Sequence, residues 1–320
     1  MSSLLYTPFP FNVTPASPLF ELSPIASNLT QGWVPSCFTP ECVPTASWST
    51  ASIGATLSFE FWGWDVTFDG SIKGNMSIEL LRDGVKETWD PSAETLFSFR
   101  GKLTDDSYIH NVTLTLSMHF LVANSLSTRR GLTGLRVGAS CENFDRQIWT
   151  IPSNDPRMIY SGFSEQASVA HAGSHITYMS SKAGDTVFMR FNASALLLYG
   201  SCGPTNGLMK VTLDGREFTV NTSIPIASND CLLFQSRAAP SGVMREILIE
   251  NTGDATIGIN RFVFVSIYWV GPTSPSMVAQ AVAIALVTVF VVVLIWAALM
   301  VSLKRSQGGK IREMFTSLCL

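Results

Sequence analysis

Two histidines four residues apart, His171 and His175, have a spacing that suggests metal chemistry. On a helix it would bring two imidazoles to one ion. Here the segment reads "HAGSH", contains a glycine, and lies between stretches that look like strands. On a strand, residues four apart share a face but stand about 13 Å from each other. No acidic or cysteine cluster lies nearby, so a structural loop is expected, with no metal and no other cofactor. For nucleophilic catalysis the chain has no G-x-S-x-G elbow and only 4 His. Carboxylates could pair in space as a glycosidase needs, but no larger catalytic domain accompanies the small strand-rich units. No enzymatic activity is expected.

Aromatic residues are the better lead, because sugar rings stack their C–H groups on exposed aromatic faces. Trp33 and Trp48 sit in Pro/Ser/Thr-rich stretches and are expected to be exposed. With Tyr160 and His175 they make up the candidate ligand-binding set. Trp62 and Trp64 alternate around Gly63 and read as filling a core or a sheet face.

The chain has 6 Cys. Cys37 and Cys42 flank the short loop "FTPE", which a disulfide would close. Cys202 and Cys231 bracket the Leu213-Asp214-Gly215 hairpin, where neighbouring strands would bring them within range. Bridging that loop is worth roughly 3 to 4 kcal/mol in the chain-entropy model. Cys141 is left over, and Cys319 reads as a plain thiol. Asn12, Asn28, Asn75, Asn111, Asn192 and Asn221 each head an N-x-S/T acceptor triplet, which points to a secretory compartment.

The elements that hold these residues fall into two kinds. Charged residues are only 14% of the chain and hydrophobic ones 46%, an apolar balance with one main source. From Met277 to Leu303 there is no charge, and Lys304-Arg305 follows at once. A helix of about 20 residues crosses a bilayer, so this segment is expected to span one. Lys304, Arg305, Lys310 and Arg312 then put the C-terminal tail in the cytosol and the rest outside. Met1 to Phe20 objects: it has no basic residue, and prolines interrupt its apolar stretch, so it does not read as a cleavable signal. Three explanations stay open: a missing N-terminus, export directed by the span itself, or a tail anchor with cytosolic domains. The flanking charges favour the outside. A net charge of −3 offers no footprint for nucleic acid.

The remainder is strand. Leu57, Phe59 and Phe61 alternate with polar residues, as do Met76, Ile78, Leu80 and Val112, Leu114, Leu116, Met118. Asp69-Gly70, Asp83-Gly84 and Asp214-Gly215 each suit a tight hairpin turn. The pattern also repeats. "GATLSFEFWGWDVTFDG" from Gly54 returns as "GDTVFMRFNASALLLYG" from Gly184. "NVTLTLS" from Asn111 is matched to "REILIEN" from Arg245, and "LTGLRVGAS" from Leu132 to "INRFVFVSI" from Ile259. Each copy has the size of a small antiparallel sandwich, so the chain reads as a duplicated β domain.

The second copy resembles a family. Asp155-Pro156 leading into Ile159-Tyr160-Ser161-Gly162, the His171–His175 stretch, Gly184 leading into Val187-Phe188-Met189-Arg190-Phe191, and Leu213-Asp214-Gly215 are similar to motifs of tandem galactose-binding-like domains in fungal single-pass membrane proteins. Where such domains tend to have Trp, this chain has Phe163. The resemblance implies jelly-roll sandwiches outside the cell, and carbohydrate binding only loosely, since the fold hosts many ligands.

The expected fold class is therefore all-β: two tandem antiparallel jelly-roll β-sandwiches followed by one transmembrane α-helix. The expected divisions are a flexible arm at 1–30, a first sandwich at 31–141, a second at 145–270, a linker at 271–276, the span at 277–303 and a cytosolic tail at 304–320. The expected function is a membrane-anchored extracellular binding protein at the plasma membrane or a secretory-pathway membrane. Its partners would be the lipid bilayer and a glycan or a cell-surface protein. The alternative is an adaptor whose ectodomain contacts another protein.

Overall fold

The computed structural model describes residues 9–63, 65–72, 77–92, 95–99, 109–117, 130–138, 144–166, 176–237, 239, 242–269, 288–293 and 295–296. The first copy holds β1 (Phe11–Val13), β2 (Phe20–Ser23), β3 (Val34–Pro35), β4 (Trp48–Ser49), β5 (Thr56–Trp62), β6 (Asp65–Ile72), β7 (Ser77–Arg82), β8 (Val85–Glu87), β9 (Thr95–Phe99), β10 (Ile109–Ser117) and β11 (Arg130–Gly138), with a 3-10 helix at Pro40–Thr45. The second holds β12 (Phe144–Pro152), β13 (Ile159–Ser161), β14 (Ser164–Gln166), β15 (Thr177–Ser180), β16 (Thr186–Asn192), β17 (Ala195–Cys202), β18 (Leu208–Leu213), β19 (Arg216–Asn221), β20 (Ser228–Gln235), β21 (Met244–Asn251) and β22 (Ile257–Trp269).

These strands make four sheets. In the first copy β3-β4-β11-β6-β9 lie side by side, with β1 also on β11, and β2-β5-β10-β7-β8 form the other sheet. In the second, β14-β15-β22-β17-β20 with β12 on β22 accompany β13-β16-β21-β18-β19. Advancing each label by eleven, β1 to β12 through β11 to β22, converts one arrangement into the other. The duplication holds strand for strand.

The chain folds this way because alternate positions are apolar. In β5, Leu57, Phe59 and Phe61 are buried, while Thr56, Ser58 and Glu60 point the other way. Phe59 meets Phe68 of the facing sheet edge-on at 6.0 Å, and Phe68 stacks on Phe97 at 4.3 Å. In the second copy Phe191 and Phe264 bring the sheets together at 4.8 Å, and Phe218 and Phe234 do so at 5.2 Å. Each pair of sheets thus encloses an aromatic layer. Asp83-Gly84 and Asp214-Gly215 turn hairpins with positive φ at all four residues, as a type I′ turn requires.

Three expectations need correction. Residues 1–30 are not a free arm throughout: β1 and β2 belong to the first copy's sheets, and Phe9, Phe11, Val13, Ala16 and Phe20 are buried. Asp69-Gly70 is no turn; it lies inside β6, where the register with β9 shifts. A Cβ on Gly200, which holds the matching place in β17, would sit 2.0 Å from the Gly258 carbonyl oxygen. The glycine is there for close strand approach. Third, the match of Asn111 to Arg245 slips by one residue. Val112 pairs with Phe59, and Ile247 with Met189, so His110 is the counterpart of Arg245. A slip of one would have turned every inward side chain of β10 outward.

Both copies fall in one compact unit ending at Tyr268, and Trp269–Leu320 forms a second. In the second unit residues 288–293 and 295–296 are helical, with exposed Val, Phe, Ile and Trp side chains. Among the described residues no helix is long and apolar enough to cross a membrane. The rest of the expected span, the linker and the tail lie outside the described residues.

Candidate functional site

A partly open aromatic group lies at one edge of the second copy, where β13 ends one sheet and β14 ends the other. A turn leads into it. Pro152 O accepts from Asp155 N at 3.1 Å, and Asp155 O accepts from Met158 N at 3.0 Å, with Pro156 presetting φ inside the turn. The Asp155 carboxylate accepts from Arg157 N at 2.9 Å and from Arg157 Nε and Nη2 at 2.8 Å each. That side-chain fork holds the Asp155 carboxyl below the usual carboxylate range and raises the Arg157 guanidinium in turn.

Tyr160 follows on β13. Its phenol donates to Ser153 O at 2.6 Å, and its ring stacks on Tyr178 of β15 at 4.2 Å and 14°. Phe163 closes the group at 5.8 Å from Tyr160. Burial pushes the Tyr160 phenol well above its ordinary pKa, with the neighbouring Tyr178 adding to the shift. Tyr160, Phe163 and Tyr178 are all half-buried, so part of the stack faces water. Exposed Glu165 accepts from the Tyr178 phenol at 3.4 Å. Gly162 has φ 81°, and a Cβ there would lie 1.9 Å from the Asp185 carboxylate, which itself accepts from Ser180 Oγ at 2.6 Å. Only glycine lets the strand turn this closely onto Asp185.

In the first copy the place of Tyr160 holds half-buried Leu22, and the other two places are closed. Pro35 pairs with Trp48 as Glu165 pairs with Tyr178, which aligns Trp33 with Phe163 and Trp48 with Tyr178. Trp33 and Trp48 were expected in exposed loops; they are 4% and 2% exposed. Trp33 Nε1 donates to Thr56 O at 2.7 Å and Trp48 Nε1 to Pro15 O at 2.8 Å. A buried indole with its one donor satisfied is core, not a stacking platform. Of the candidate ligand set, Tyr160 alone is placed at the open edge; His175, like His171, lies outside the described residues. Tyr178 was missed. Carrying the repeat through residues 177–180 would have set it opposite Trp48.

Cys37 is bridged to Cys42, and Cys202 to Cys231, with Cα–Cα distances of 5.9 and 6.0 Å. Asn12, Asn28, Asn111, Asn192 and Asn221 are all exposed. Asn75, Cys141 and Cys319 lie outside the described residues. Among the described residues no group of three or more His, Cys, Asp or Glu could hold a metal ion.

No family model matches the chain, and no curated protein does. Among solved structures, a family two carbohydrate esterase from Cellvibrio japonicus is similar at 12% identity, covering 38% of this chain and 34% of its own, with a TM-score of 0.29. A Paenibacillus xanthan lyase gives 12%, 82%, 27% and 0.29. The ANX1 ectodomain from Arabidopsis thaliana gives 7%, 82%, 97% and 0.25. The chain spans about a third of the esterase and about a quarter of the lyase. TM-scores this low carry no argument about function.

Proposed function

We propose that this is a membrane-anchored binding protein with two jelly-roll sandwiches outside the cytosol, and that the aromatic edge of the second copy takes a carbohydrate ring. The observation that carries this reading is the stacked pair Tyr160–Tyr178 with Phe163, half-exposed here while Trp48 and Trp33, which stand in the first copy where Tyr178 and Phe163 do, are sealed. A rigid aromatic face, fixed from behind by the Tyr160–Ser153 hydrogen bond, offers a π surface to sugar C–H groups, and Glu165 offers an acceptor for hydroxyls. The uncharged segment from Met277 to Leu303 supplies the anchor, and basic residues follow it on the cytosolic side. The exposed acceptor asparagines suit a secretory compartment, and none belongs to the aromatic edge. The role is binding without turnover.

Fluorescent glycans that do not cross membranes test both parts at once. They should decorate intact cells expressing the full chain, and Tyr178→Ala, present at equal surface amount, should weaken binding about tenfold or more. Binding seen only after permeabilisation overturns the topology. Silence across a broad glycan panel, with a protein partner captured by crosslinking, overturns the ligand class.

A further inference from the structure

Strand β17 is buried on both faces. Leu196 and Leu198 pair with Phe264 and Phe262 and point into the second copy's own core. Leu197, between them, points the other way and is still only 3% exposed. A strand in a two-sheet sandwich has one core face, so something beyond the sandwich covers the other.

The first copy covers it. Ser17 Oγ donates to Leu232 O of β20 at 2.6 Å. Gln235, the partner of Leu197 on β20, clasps the Trp62 backbone in both directions: its Oε1 accepts from Trp62 N at 3.1 Å, and its Nε2 donates to Trp62 O at 3.0 Å. The Arg237 guanidinium stands 5.1 Å over the Trp62 ring. The Ala16 carbonyl oxygen lies 2.9 Å from Cys202 Sγ and 2.9 Å from Cys231 Sγ. Ala16 is 0% exposed, and the two cysteines 2% and 0%.

We propose that the outer face of the β17–β20 sheet is a docking surface dedicated to the first copy, and that the docked Ala16-Ser17 loop seals the Cys202–Cys231 bridge. Its occupant is specified by the contacts themselves. An apolar strip around Leu197 and Leu232 is bordered by a polar clasp that recognises the backbone of Trp62. A reductant must reach one sulfur of a disulfide, and here both are covered by the partner copy's main chain. The bridge opens only after the copies part, so its reduction reports undocking. The Cys37–Cys42 bridge gives the comparison rate, since Cys42 is only partly buried, though its 3-10 helix also lies against β20.

The test uses the full chain in detergent and a water-soluble phosphine. The phosphine attacks one sulfur and the other leaves as thiolate; water then gives its oxygen to the phosphine, leaving two thiols for alkylation and peptide mapping. In the parent, Cys37–Cys42 should be reduced at least about tenfold faster than Cys202–Cys231. Ala16→Arg should abolish the protection. Because that variant could misfold, Gln235→Ala, which removes only the clasp, should speed reduction of Cys202–Cys231 several-fold and that of already accessible Cys37–Cys42 by much less. Equal rates for the two bridges in the parent, or a Gln235→Ala rate identical to the parent's, would overturn the proposal.

Discussion

Strands β6 and β17 hold the same place in the two copies, yet they read differently. β6 is "DVTFDGSI" and β17 is "ALLLYGSC". Their inward residues agree: Val66, Phe68 and Gly70 against Leu196, Leu198 and Gly200, all buried. Their outward residues do not. Asp65, Thr67 and Asp69 are half-buried, whereas Ala195 and Leu197 are buried and Tyr199 lies under the Arg261 guanidinium at 4.0 Å. Thr67 shares a hydrogen bond of 3.0 Å with exposed Ser98, and their counterparts are Leu197 and the clasping Gln235. The core face is alike in both copies, while the outer face follows whatever covers it. Alternation marks one covered face; an unbroken apolar run marks two.

This contrast can be broken most sharply by giving β17 the outer chemistry of β6. Leu197→Asp would bury an unpaired carboxylate between the copies and should cost about 3 to 5 kcal/mol of unfolding free energy. Thr67→Asp, the matching change in the first copy, should cost only about 1 kcal/mol, for the hydrogen bond to exposed Ser98. Denaturant unfolding of the two variants measures the difference. Similar midpoints for both would mean that Leu197 is not covered as described.

A second contrast sits behind the Asp-Gly turns. Asp214 accepts from Arg245 Nε at 2.7 Å and from Glu246 N at 3.2 Å; Asp83 contacts His110 Nδ1 at 2.7 Å and accepts from Asn111 N at 2.8 Å. The anchoring is the same, and the buried base differs. Arg245 has a further arm, with Nη1 donating to Ser194 O and Arg237 O at 3.2 Å each. The His110 ring lacks that reach, and its Nε2 is buried with no partner among the described residues. Arg245→His should therefore destabilise the chain by about 1 to 2 kcal/mol: the Arg237 carbonyl loses its charged donor, while the buried Ser194 carbonyl keeps Ala239 N at 2.7 Å. A change under about 0.5 kcal/mol would mean that the Arg237 carbonyl is satisfied in some other way.

The all-β character was legible because strands such as β5 and β10 keep a clean period of two over seven to nine residues. What failed to show was short or shifted. Phe9, Phe11 and Val13 do alternate, but Pro8 and Pro10 interrupt them and β1 spans only 3 residues, too few to display a period. The repeat itself held the missing evidence: Ser17-Pro18 takes the place of Asp155-Pro156, and both turns carry the same backbone bond, Phe20 N to Ser17 O and Met158 N to Asp155 O. Trp33 and Trp48 were misjudged because polar neighbours in sequence say little about a large ring that folds inward. The open edge in the second copy depends on which of two aligned aromatic sets remains uncovered, and no single segment carries that information.

Ser17 and Asp155 give the finest contrast, since one position carries a hydroxyl in the first copy and a carboxylate in the second. Ser17 Oγ accepts from Leu19 N at 3.3 Å and donates across to Leu232. Asp155 accepts from Arg157 N, as the serine does from Leu19, and adds the fork to the Arg157 side chain. That fork holds the Asp155 carboxyl below its unfolded value of about 3.9. A depressed folded-state pKa means the fork's contribution is fully present above the unfolded value and is lost as pH falls through the folded one. Arg157 is 59% exposed, so solvent screening keeps the contribution at neutral pH under about 1 kcal/mol. Asp155→Asn should therefore be slightly less stable than the parent at pH 7, and the gap should close as the solution is acidified below the ordinary carboxylate range. Ser17→Ala should carry a penalty that does not change over the same range, because no proton is exchanged there. Unfolding curves collected from neutral to strongly acidic pH compare the two. A gap for Asp155→Asn that stays constant down to the most acidic point would mean that the fork adds nothing beyond the turn that both copies share.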